Sequence, residues 1–234
     1  MWNSLKTLLF WLPALAMIGT LMSFKNSLPQ PKKGDYQIDI QGVMAFVVED
    51  DLRQILDNEF VKAKTINTHM LEEKIIELNG VTEVEVFSKL DEELHVRVVQ
   101  AKPLLRLFEN GRSAYLSHTG KRLALSPYES CLLPIVQGWP KDSVQAHELM
   151  AIWRYIVNDS LLNSSIDGGE INERGEITLF SPIGHHEVVM GSSDNWENKL
   201  QRLKNFYQNV LLPGKRNVLK KLDLRFNNQI VLSK

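Results

Sequence analysis

The chain has 234 residues, enough for one large or two modest domains with a real core. Its 27 basic and 28 acidic residues give a net charge of -1, which excludes a general electrostatic affinity for nucleic acid. The single cysteine, Cys131, excludes an intramolecular disulfide and any CxxC metal or redox motif, and reads as a semi-buried packing residue.

In chain order, Leu8 to Phe24 carries no charged residue and is about the length that spans a bilayer, so an uncleaved single-pass anchor is expected over residues 1–24. Lys25, Lys32 and Lys33 on its far side outweigh Lys6, the reverse of the usual charge bias, so charge alone leaves the orientation open. Residues 25–35, with Pro29 and Pro31, read as a linker.

Tyr36 to Val43 alternates Ile38 and Ile40 against polar residues, the pattern of a strand. Leu52, Ile55 and Leu56 form an apolar stripe after Glu49-Asp50-Asp51, and Leu71, Ile75 and Leu78 form another. Asn67 or Thr68 is placed to cap this second helix, and Asn79-Gly80 to end it. Val81 to Pro103 then has period two twice over. Val84 and Val86 share one face, Leu94, Val96 and Val98 another, and Asp91-Glu92-Glu93 turns between them, giving a hairpin with one buried face. The order is strand, helix, helix, strand, strand.

After Pro103 short strands alternate with two longer helices. Asn110-Gly111 is a hairpin turn signal between Leu104–Phe108 and Ser113–Leu116. Leu149, Ile152, Trp153, Ile156 and Val157 mark one amphipathic helix, and Trp196, Leu200, Leu203, Tyr207 and Val210 a second, with Ser193 or Asp194 as its expected cap. Residues 166–171, 176–180 and 187–190 read as strands, and Leu219–Phe226 with Gln229–Leu232 as a terminal hairpin turning at Asn227-Asn228.

Residues placed to carry chemistry are few. His185-His186-Glu187 is the densest set of possible metal ligands, but neighbours on a strand point to opposite faces and no HExxH spacing accompanies them. The acidic runs sit at a helix start and a hairpin tip, where solvated acids are favoured. There is no GxSxG, phosphate loop or GxGxxG, so no enzyme, cofactor, metal or small-molecule substrate is expected.

The segment from Asn79-Gly80-Val81 through Leu94-x-Val96-x-Val98, with the order of elements before it, resembles the POTRA domain. Gln100-Ala101-Lys102-Pro103-Leu104, Tyr115-Leu116-x-x-x-Gly120, Leu133-Pro134-Ile135-x-x-Gly138, Gly191 with Lys199-Leu200-x-x-Leu203, and Leu222-Asp223-Leu224-Arg225-Phe226 then occur in the order of the bacterial division family FtsQ/DivIB, which the chain resembles. His118 replaces a common acid and Phe226 the usual tyrosine, and the segment that the resemblance implies to be a cytoplasmic tail is expected to be very short.

The resemblance implies an α+β protein: a transmembrane helix, a POTRA domain (β-α-α-β-β) over 36–102, and over 103–234 a mixed β-sheet domain packed on two long helices. It implies a non-enzymatic scaffold in the inner membrane with its bulk in the periplasm, linking early division proteins to septal peptidoglycan synthesis. Its implied partners are FtsB/FtsL-like bitopic coiled-coil proteins and an FtsK-like DNA translocase, and its implied partner-binding residues are Arg225, Phe226, Asn228 and Ile230. The alternatives are a POTRA-type chaperone of outer-membrane assembly or secretion, and an envelope hydrolase.

Overall fold

The computed structural model describes residue 17 and residues 31–43, 45–62, 66–89, 93–211, 219–227 and 229–233. The uncharged run Leu8–Phe24 lies, Met17 apart, outside the described residues; among those described, no helix is long and apolar enough to cross a membrane. The chain divides into two compact units, the first made of residues up to Gln41, Val48–Leu78 and Glu83–Val99, the second of Gly42–Val47, Asn79–Thr82 and Gln100–Lys234.

The first unit has strand β1 (Tyr36–Gln41), helices α1 (Glu49–Lys62) and α2 (Thr68–Ile76), and strands β2 (Val81–Ser88) and β3 (Leu94–Gln100). Its sheet has the order β1-β3-β2, with β1 parallel to β3 from Tyr36↔Leu94 to Gln41↔Val99. The alternation in β3 buries Leu94, Val96 and Val98, and the two helices bury Leu52, Leu56, Leu71 and Ile75. Asn67 caps α2 by accepting the amides of His69 and Met70. Two polar ties fix helix to strand. The Tyr36 hydroxyl donates to Asp57 at 2.8 Å, and Glu72 accepts the Val86 amide at 2.9 Å. Burial and the Asp57 carboxylate push the Tyr36 phenol up to about 12.

The second unit holds β4 (Pro103–Glu109), β5 (Arg112–Ser117), β6 (Arg122–Leu123), β7 (Ile135–Gln137), α3 (Ser143–Asn158), α4 (Ser160–Ser165), β8 (Gly168–Ile171), β9 (Ile177–Ser181), β10 (His186–Gly191), α5 (Trp196–Phe206) running on into a π-helical turn (Tyr207–Leu211), β11 (Lys221–Asp223) and β12 (Val231–Ser233). All nine strands form one mixed sheet in the order β12-β11-β10-β9-β8-β7-β4-β5-β6. Asn110 and Gly111 both take positive φ at the β4–β5 turn, as a tight hairpin requires. The early stretches join this unit through hydrogen bonds: the Gln100 side-chain Oε1 accepts the amides of Phe46 and Val47 at 2.7 and 2.8 Å, and the Ala101 amide donates to the Gly80 carbonyl at 2.7 Å.

The pairing registers line up a continuous row across the sheet, Leu107, Val136, Gly169, Leu179, Val188 and Leu222 in turn, all buried. Leu149, Ile152, Trp153 and Ile156 of α3, and Leu200, Leu203 and Tyr207 of α5 and its extension, join the same core. This is the mixed sheet packed on helices that the resemblance implies. The opposite face carries Arg106, Ile135, Phe180, Glu187 and Lys221 in the adjoining register.

Three local expectations are corrected. Ile166 does not begin a strand: Asp159 accepts the amides of Leu161 and Leu162, starts the short helix α4, and delays β8 to Gly168. The cap of α5 is Asn195 at φ 52, not Ser193 or Asp194, because Ser193 Oγ donates to Glu148 while Asp194 accepts from Ser192 Oγ. Leu219–Phe226 is strand only at Lys221–Asp223, because Asp223 accepts the Arg225 amide and turns the chain out of the ladder. His185 stands at φ 52 in a turn, whereas His186 is a buried core residue whose Nε2 lies 3.0 Å from the Tyr207 hydroxyl.

Val96→Asp puts an unpaired carboxylate in the first unit's core and is expected to cost about 3 kcal/mol or more by chemical denaturation. Arg97→Asp is not the neutral control that exposure alone suggests, since Arg97 lies 3.1 Å from Glu85 and 3.5 Å from Asp39; Arg97→Gln is expected within about 1 kcal/mol of wild type. Equal losses for Val96→Asp and Arg97→Gln would mean that the buried face is assigned wrongly.

A second prediction concerns acid. Burial lowers the His186 and His118 pKa values, with Lys102 and Arg154 adding to the effect at His118, so the unfolded chain takes up these protons first. The stability they hold is complete above the unfolded value of about 6.5 and is lost as pH falls below it. The urea midpoint should therefore fall between about pH 7 and 5.5, above the window in which Asp159 and Asp223, whose pKa values are lowered, begin to protonate. An undiminished slope in the double variant His186→Phe/His118→Gln would contradict this.

Candidate partner-binding edge

Among the described residues β12 pairs only with β11, in the register Lys221↔Ser233, Leu222↔Leu232 and Asp223↔Val231, and it ends the sheet. A terminal strand keeps backbone donors and acceptors on its outer side, where another extended chain can pair. Its side chains are open as well: Val231 is 39% and Leu232 48% exposed, and Phe226, in the loop after β11, is 46% exposed. Leu232 extends the buried row that ends at Leu222, so the apolar row continues past its cover.

The loop is held from below. Arg202 of α5 donates to three carbonyl oxygens, Phe226 at 2.8 Å, Gln229 at 2.7 Å and Leu224 at 3.0 Å. One guanidinium thus replaces the ladder bonds that the loop lacks. Nothing in the sequence pattern singles out Arg202, which reads as a polar-face residue of an amphipathic helix; the signal available was its place one turn beyond Lys199.

Arg225 folds back on Asp223, with Nη2 2.6 Å from Oδ2 and Nε 3.0 Å from Oδ1. Asp223 is buried, and the Arg225 guanidinium holds its carboxyl below the usual carboxylate range. The arginine side chain remains half exposed, so the pair fixes a cationic fork at the rim of the edge. Its stem crosses Gly191. A Cβ on Gly191 would stand 2.8 Å from Arg225 Cγ, and Gly191 has φ 69, so glycine serves both the bend after β10 and the approach of the arginine. Next to this bend the buried Lys199 ammonium donates to the Ser192 carbonyl at 2.8 Å. The Gly191–Lys199 signature is therefore the support on which the edge rests.

Of the four expected partner residues, Arg225 and Phe226 lie together in the exposed loop rather than on a strand. Ile230 is half buried against the core and serves packing. Asn228 lies outside the described residues. Among the described residues no group of three or more histidine, cysteine or acidic side chains is arranged to hold a metal. Among the described residues the edge presents backbone groups on its outer side, an apolar strip and a positioned guanidinium.

A family described as FtsQ/DivIB, C-terminal related, matches residues 102–233, a span that takes in every strand of the nine-stranded sheet. No curated protein matches the chain. The match covers more than half of the sequence, and the chain belongs to the FtsQ/DivIB-related family, a family of bacterial cell-division proteins.

Proposed function

We propose that the chain is a non-enzymatic, membrane-anchored scaffold of the bacterial division machinery that binds a partner by strand addition at β12. The observation that carries this reading is the edge itself, a terminal strand that among the described residues pairs on one side only, with Val231 and Leu232 exposed beside the Arg225–Phe226 loop. The partner is of the FtsB/FtsL type, a bitopic coiled-coil protein whose extracytoplasmic part supplies a short extended segment. Through it the chain links early division proteins to septal peptidoglycan synthesis, and the FtsK-like translocase is a further partner.

In this reading Leu8–Phe24 anchors the chain in the inner membrane and the two compact units lie in the periplasm. The first unit is a POTRA domain, which its β-α-α-β-β order and β1-β3-β2 sheet support. Phe226 supplies an apolar anchor in place of a tyrosine, and Arg225 shares its guanidinium between Asp223 and a partner carboxylate.

The test is binding of the full chain to the extracytoplasmic part of an FtsB-type partner. Phe226→Ala and Val231→Lys should each weaken it about tenfold or more, with the melting temperature unchanged, because one removes an anchor and the other places a desolvated charge at the edge. Arg225→Glu should weaken it by at least as much, since it also repels Asp223. Wild-type affinity in all three variants would place the interface elsewhere.

A further inference from the structure

A second feature of the sheet lies away from the edge. Strands β4, β7 and β8 run parallel, and at their carboxyl ends a cleft of about 910 Å³ opens between the β4–β5 and β8–β9 turns. This is the position where open sheets with parallel strands hold ligands. Register places Phe108, Gln137 and Glu170 side by side on three successive strands, about 5 Å apart, all on the open face. Trp139 and Gln145 line the same cleft. Trp139 is packed in part against the core, so its ring is a fixed wall, whereas Phe108 is exposed.

The chemistry of this lining selects a ligand class. Anions are disfavoured: Glu109, Glu170 and Glu173 face a single lysine, Lys141, and the amino terminus of α3 is already occupied by its own cap, Asp142, which accepts the Gln145 amide at 2.9 Å. Glu109 is tied to Arg122 at 2.5 Å and is not free to ligate a cation. What remains are the carboxamides of Gln137 and Gln145 and the Glu170 carboxylate, which make no side-chain hydrogen bond among the described residues, together with two aromatic surfaces. Carboxamides donate and accept at once, as vicinal hydroxyl and N-acetyl groups do, and an aromatic face packs on the C–H face of a pyranose ring.

We infer that this cleft is a binding site for an uncharged, hydroxyl-rich saccharide chain, with Trp139 and Phe108 as stacking surfaces and Gln137, Gln145 and Glu170 as hydrogen-bonding partners. The site is independent of the edge at β12, since β7 and β8 stand inside the sheet.

Chitotetraose, titrated into the full chain in detergent micelles and followed by saturation-transfer NMR, is the direct test. Saturable binding is expected, weakened about tenfold by Gln137→Leu or Gln145→Leu through loss of hydrogen bonds, and abolished by Trp139→Ala. Both glutamines are exposed, so these variants keep the test valid if Trp139→Ala fails to fold. Glu187→Gln, on the same face outside the cleft, and Val231→Lys, at the edge, should leave binding unchanged. No saturable binding up to the solubility limit, equal binding in the glutamine variants, or binding of a heparin oligosaccharide in preference to chitotetraose would each overturn the inference.

Discussion

The second unit depends on one row of side chains, Leu107, Val136, Leu179, Val188 and Leu222, held in register across strands that run both parallel and antiparallel. Each lies at 0–1% exposure beneath helices α3 and α5 and the turn that extends α5. Burial on this scale is the main favourable term of folding, and it fixes register because a slip of one residue would turn the whole row to the other face. The row does not stop with its cover. Leu232 continues it in the outermost strand at 48% exposure, and the same alternation that builds the core leaves an apolar edge with no further strand on it among the described residues.

That edge is firm although it is short. Three carbonyls of the loop meet Arg202, the Asp223–Arg225 pair closes the turn, and Gly191 leaves room for the arginine stem. A partly buried, bidentate pair of this kind contributes more to geometry than to stability. Its effect is to hold a loop of irregular backbone in one conformation, so a partner that docks there does not have to order it.

Much of this was legible in the sequence because the relevant patterns are local and periodic. The stripe from Leu149 to Ile156, the alternation from Leu94 to Val98 and the Asn110-Gly111 turn each state their structure within a dozen residues. What was not legible depends on contacts distant in sequence. Asp159 looks like a helix end and is also a cap, and Lys204, 2.5 Å from its carboxylate, holds it there. Ser193 and Asp194 have the composition of a cap, yet Glu148 and Ser192 take their side chains first. Arg225 and Phe226 read as strand by alternation alone, and the Asp223 turn puts them in a loop. The clamp from Arg202 has no sequence signature, because its three acceptors are backbone carbonyls.

The proposed scaffold role rests on β12 accepting a further strand. Backbone hydrogen exchange of the full chain, with and without the extracytoplasmic part of an FtsB-type partner, measures it at the atoms concerned. Strand addition predicts slowed exchange on binding within Val231–Ser233, with β6 at the opposite edge unchanged. Tight binding with no change in β12, and new protection in another element, would rule out strand addition at this edge.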